Sequence, residues 1–188
     1  MEKDLSPQQS LEIITSMINQ TQGNIRKNSF FFILWGWTIA LSNLGVFILI
    51  RFTDYSSPYH AYFLTILAAI ISIVYGTKQD QNSTVTTHLD VIYKWMWMSL
   101  GISCFILCLF GSRINWQLNP VIITMCAAPT LTSGIISRFK PLVYGGIVLW
   151  IGGVAMFLIT NENQFLLAAL SVALGYLLPG YALKSKKA

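Results

Sequence analysis

Residues 118–159 read LNPVIITMCAAPTLTSGIISRFKPLVYGGIVLWIGGVAMFLI, and the only charges among them are Arg138 and Lys140. Those two cations, followed by Pro141, divide the stretch into two apolar runs, 118–137 and 141–159. A helix rises about 1.5 Å per residue, so crossing about 30 Å of hydrocarbon takes roughly 20 apolar residues. Each run is long enough to span a bilayer, and so short a connection forces the two to run antiparallel. Working outward, four more runs qualify: 29–50, 58–75, 93–111 and 165–181. The second and sixth lie near the lower limit of length, and none of the six carries a charge in its central part. A closed β-barrel is the other way to satisfy a backbone in lipid, and its alternating pattern is missing here. The fold class is therefore all-α: a polytopic membrane bundle of six transmembrane helices with a cytoplasmic amphipathic helix ahead of it.

Whole-chain composition agrees. Of 188 residues, 54% are hydrophobic and 10% are charged, against about 45–50% and about 25% in soluble domains. With a mean hydropathy of +0.59, a water-soluble fold is excluded. A net charge of +5 would suggest nucleic acid in a soluble protein. Here the cations are dispersed between apolar runs, so the expected partner is the lipid bilayer and not nucleic acid. Residues 1–28 are polar and mixed in charge, unlike a secretory signal, which makes 29–50 a retained first span.

The twelve Lys and Arg residues set the orientation. Lys3, Arg26 and Lys27 precede the first run, and Lys78 and Lys94 lie between the second and third. Arg138 and Lys140 separate the fourth and fifth, and Lys184, Lys186 and Lys187 follow the sixth. Six crossings place these on one side and leave only Arg51 and Arg113 on the other. Cytoplasmic loops carry the excess of Lys and Arg, so both termini are expected in the cytoplasm. The chain divides into a cytoplasmic N-terminal segment (1–28), the bundle (29–181) and a basic cytoplasmic tail (182–188). Trp35, Trp37, Trp95 and Trp97 fall near the cytoplasmic ends of their spans, and Tyr55, Tyr59 and Trp116 near the outer ends. Amphipathic rings favour such interfacial depths.

In the N-terminal segment, Ser6 suits an N-cap, Pro7 the first helical position, and Gln9 the third position of a capping box. Leu11, Ile14, Met17 and Ile18 then recur at helical spacing as an apolar face. The opposite face lacks the Lys and Arg of a strong anionic-lipid binder. The helix either rests on the membrane and bundle or docks a cytoplasmic or membrane protein partner. The longest connection, Gly76 to Asp90, opens with the polar run Lys78–Asn82, read as loop that turns helical near Thr84.

Catalytic material is scarce. His88 and Asp90 diverge on a helix, Asp54 and His60 share only an outer loop, and no zinc, phosphate-loop or nucleophile-elbow motif is present. Cys104, Cys108 and Cys126 read as small hydrophobes. No catalytic residue, metal or cofactor is expected. Ion-coupled transporters commonly place ionisable groups inside the membrane, and these spans have none centrally. What remains is Asn43 in the first span and Thr124, Thr130, Thr132 and Ser133 around Pro129 in the fourth. These residues either bond helices together or line a small polar path. Gly145, Gly146, Gly152 and Gly153 in the fifth span read as one close-packing groove, serving helix contacts within the chain or a homodimer.

The opening Leu5-Ser6-Pro7-Gln8-Gln9-Ser10-Leu11-Glu12-Ile13-Ile14-Thr15-Ser16-Met17-Ile18 resembles a family of small six-span membrane proteins from Bacteroidetes-type bacteria. Trp35-Gly36-Trp37, the stretch Thr132-Ser133-Gly134-Ile135-Ile136-Ser137-Arg138-Phe139-Lys140-Pro141-Leu142, and Leu177-Leu178-Pro179-Gly180-Tyr181 share the likeness, which extends over nearly the whole chain. The resemblance implies a bacterial inner-membrane location and supplies no activity or site residues. The functional expectation is a non-enzymatic interaction or regulatory membrane protein. A channel or uncoupled transporter for a small neutral solute is the alternative.

Overall fold

The computed structural model describes residues 6–13, 15–16, 29–81 and 88–185. Six helices are long and apolar enough to cross a membrane. They are α1 (Ser29–Phe52), α2 (Phe63–Gln81, entered through a short 3₁₀ turn at Pro58–Tyr62) and α3 (His88–Leu109). The remaining three are α4 (Leu118–Ile136), α5 (Lys140–Phe157) and α6 (Asn163–Ser185). No strand occurs among the described residues. The multi-pass helical reading holds. One boundary needs correction: Lys78–Gln81 continues α2 as helix, because nothing in that polar run breaks one.

The core lies between α1, α4, α5 and α6, and α5 explains why. Its buried residues are Leu142, Gly145, Gly146, Leu149, Gly152, Gly153 and Met156. Leu142, Leu149 and Met156, all fully buried, recur every seven residues and form a ridge along one face. They pack with Phe32 of α1, Ile123 and Ala127 of α4, and Ala168, Val172, Tyr176 and Leu183 of α6. By contrast, α2 buries only Ala68 and α3 buries nothing. The compact packing expected for the last three spans is present, with α1 as a fourth member.

Turn chemistry holds the α4–α5 hairpin shut. Arg138 adopts a left-handed conformation (φ 49°). The Arg138 N–H donates to the Ile135 carbonyl and the Phe139 N–H to the Gly134 carbonyl, while Phe139 is buried at 3% exposure. This is a Schellman cap with Arg where glycine is usual. At the other end of the bundle, Arg51 on α1 reaches Glu162 beside α6 at 3.1 Å.

At the N-terminus the capping box forms: the Gln9 N–H donates to Ser6 Oγ and the Ser6 N–H donates to Gln9 Oε1. Leu11 is 66% exposed. Ile14, Met17 and Ile18, the rest of the expected partner face, lie outside the described residues.

Candidate functional site

Asn43 is fully buried, and its polar atoms are satisfied across three elements. Its Nδ2 donates to the Ile39 carbonyl one turn back (2.9 Å). Its Oδ1 accepts from the Tyr62 hydroxyl (2.9 Å) and from Asn119 Nδ2 (2.8 Å). Asn119 and Tyr62 also lie within hydrogen-bond distance of each other. Next to it, Ser42 Oγ donates to the Ala61 carbonyl at 3.0 Å. A buried amide without partners would cost a few kcal/mol; here it ties α1 to the turn before α2 and to the first residues of α4. Sequence reasoning required a partner for Asn43 but did not find Tyr62 or Asn119. The signal was their common depth, since each sits just inside a turn at the same end of the bundle.

The polar strip of α4 spends its hydroxyls on its own helix. Thr124 donates to the Pro120 carbonyl, Thr130 to Cys126, Thr132 to Ala128 and Ser133 to Pro129, at 2.6–2.9 Å. This i−4 back-bonding leaves little donor capacity for a solute. Thr130 and Ser133 have no exposed surface. None of the strip joins Asn43, whose bonds go elsewhere.

The four glycines do not form one groove, which corrects the single-face expectation. Neighbouring helical positions diverge by about 100°, so the pairs serve two partners. A Cβ on Gly145 would stand 2.5 Å from the Gly175 carbonyl oxygen, and one on Gly152 would collide with Ser171, both on α6. A Cβ on Gly146 would stand 2.7 Å from the Leu131 Cβ, and one on Gly153 would collide with Thr124, both on α4. Each glycine lets a helix of the same chain come close, on either side of the leucine ridge.

Opposite Gly145, α6 widens into a π-turn at Ala173–Leu177. Pro179 has no N–H to offer the Gly175 carbonyl four residues back, and that carbonyl lies against Gly145. The turn carries Tyr176, which is 5% exposed. Its hydroxyl lies beside Thr130 and Cys126 but makes no hydrogen bond, and neither does the buried Nε1 of Trp97 on α3. Both rings meet Phe32 edge-on, at centroid distances of 5.7 and 5.6 Å. Trp97 and Trp35, both read from sequence as interfacial anchors, thus pack on the core, Trp35 also donating to Ser72 of α2, whereas Trp95 is exposed.

Between α3 and α4 runs an open groove of about 340 Å³, lined by Met96, Leu100 and Ser103 on one side and Met125, Pro129 and Thr132 on the other. The hydroxyls along it are already used: Ser103 donates to the Ser99 carbonyl and Thr132 to that of Ala128. The groove therefore presents an apolar surface. Elsewhere, His60 approaches Tyr55 at 3.0 Å and stacks on Phe63. Among the described residues, no three His, Cys, Asp or Glu side chains gather as a metal site would require. No family model, curated protein or solved structure matches the chain.

Proposed function

We propose that this is a non-enzymatic interaction or regulatory protein of a bacterial inner membrane, with both termini in the cytoplasm. The carrying observation is the division of labour among the spans. α1, α4, α5 and α6 close on one another, while α3 buries no residue and α2 almost none. In lipid an apolar helix needs no burial against its neighbours, so α3 is free to offer its outer face to another membrane protein. The N-terminal helix extends the same role to the cytoplasmic side. The resemblance of the opening segment supports the choice of membrane, and the Lys and Arg asymmetry supports the orientation.

Photo-crosslinking in intact membranes tests this. A photoreactive residue at Ile102 or Phe105 on α3 should give discrete protein adducts, while one at Ile151 or Val154, exposed on α5, should give lipid adducts. Deleting residues 5–22 should abolish capture. Lipid adducts alone from α3 would reject the reading. Solute flux in proteoliposomes that falls with bulky replacements at Thr130 and Ser133 would favour a channel instead, against which the committed α4 hydroxyls argue.

A further inference from the structure

Within the core, the seam between α1 and α4 is the loosest. Backbones come together where α1 meets α6, α6 meets α5 and α5 meets α4, whereas those of α1 and α4 hardly approach. α2 is held by α1 and α3 by α4, and these two outer helices hardly approach each other either. The six spans therefore form an arc around a cleft that opens to lipid between α2 and α3. Side chains bridge it at two levels. Toward one end Asn43 of α1 accepts from Asn119 of α4, and toward the other Phe32 of α1 meets Trp97 of α3 edge-on. Between these bridges Ile39 and Cys126 stay only partly buried, although both belong to core helices. Gly101 lies on the same side of α3 as Trp97 and Cys104, and a Cβ there would meet nothing within 4 Å.

The π-turn of α6 brings Tyr176 to the back of this cleft, near Cys104 of α3 and Cys126 of α4. The Tyr176 hydroxyl and the Trp97 indole N–H are both buried, and neither has an acceptor. Both rings pack on Phe32, so the two donors belong to one site. Buried donors in native proteins nearly always find an acceptor, and π-turns concentrate at functional sites. We propose that the cleft binds a lipid-soluble quinone, its carbonyl oxygens accepting from Tyr176 and Trp97 and its tail leaving between α2 and α3. Three features select that class. None of the side chains around the two donors named above is charged, so a phosphate headgroup would lie there uncompensated. Trp97 and Tyr176 each sit about nine residues, or about 13 Å, inside the same end of the bundle. That depth is near the middle of a hydrocarbon layer about 30 Å thick, below the ester groups of a glycerolipid. The rings of Phe32, Tyr176 and Trp97 also suit a flat neutral partner. α3, having no buried residue of its own, can shift to admit it.

Native mass spectrometry and thermal melting of the detergent-solubilised full chain test the proposal, with decylubiquinone, decylbenzene and dioleoylglycerol as probes. Decylubiquinone should be retained about ten-fold or more tightly than decylbenzene, which keeps a ring and tail without carbonyls. It should exceed dioleoylglycerol, whose carbonyls are esters, by a similar factor. Tyr176→Phe and Trp97→Phe should each weaken retention about five-fold, the worth of one hydrogen bond, and the double variant should fall to the decylbenzene level. Without quinone, Tyr176→Phe should melt no lower than the parent, since its hydroxyl has no protein partner to lose. Gly101→Leu, which fills the open space beside Trp97, should lose the quinone while melting as the parent does. Ser99→Leu, on the other side of α3, should change nothing. Equal retention of decylubiquinone and decylbenzene would overturn the proposal, as would tighter retention of dioleoylglycerol. So would quinone binding that survives loss of both donors, or a lowered melting temperature in Tyr176→Phe.

Discussion

Helices α3 and α5 have the same mean hydropathy, 1.5, yet 39% of α5 is buried and none of α3. Water-to-lipid transfer explains why both are in the membrane and cannot explain this difference. In lipid, helices associate by close packing and by polar bonds, because hydrophobicity no longer distinguishes a neighbour from solvent. α5 has glycines on both sides of a leucine ridge, so α4 and α6 approach its backbone. α3 has the single glycine Gly101, and a Cβ there would meet nothing within 4 Å. The lesson is that small residues, and not apolar ones, mark the core of this bundle.

The sharpest way to break that comparison is to fill the α5 contacts. Gly152→Leu and Gly153→Leu drive side chains into Ser171 and Thr124, and overpacking of this kind costs about 1–3 kcal/mol or more. Each variant should lose the monodisperse species in size-exclusion chromatography. Next in size is Asn43→Ala, which strips Tyr62 and Asn119 of their shared acceptor. Losing this node should cost about 1–2 kcal/mol, seen as a lowered melting temperature, whereas Ser99→Ala on α3 should be silent. Arg51→Ala should cost less than about 1 kcal/mol, because the arginine of the Glu162 pair is largely exposed. That small loss should shrink further in high salt. Smallest of all, Arg138→Gly should be neutral or mildly stabilising in the same melt, since glycine adopts the left-handed conformation without steric strain.

Much of the architecture was legible because hydropathy and charge act over whole segments. Runs of apolar residues located six spans, and Arg138 with Lys140 marked the tightest turn. The capping box at Ser6 and Gln9 was equally readable, being local chemistry three residues apart. Long-range polar pairing was not. Asn43 demanded partners, but Tyr62 and Asn119 lie 19 and 76 residues away, and only the packed fold brings them together. The glycines of α5 were recognised as packing residues, yet their assignment to one face failed because helical neighbours point to different partners. Trp95 and Trp97, two residues apart, face different sides of α3, and the approach of Phe32 shows which of the two is the core indole. The π-turn at Tyr176 depended on Pro179 meeting a glycine-lined neighbour, which the sequence of α6 alone does not show.

The most direct test of a closed four-helix core carrying α2 and α3 at its edge is a paired leucine substitution followed by thermal unfolding in one detergent. Gly146→Leu places its side chain against Leu131, where even a Cβ would stand 2.7 Å away, whereas Gly101→Leu enters open space. The core account predicts that Gly146→Leu lowers the melting temperature by several degrees or prevents folding, and that Gly101→Leu leaves it unchanged. Equal losses from the two substitutions, or a larger loss from Gly101→Leu, would contradict it.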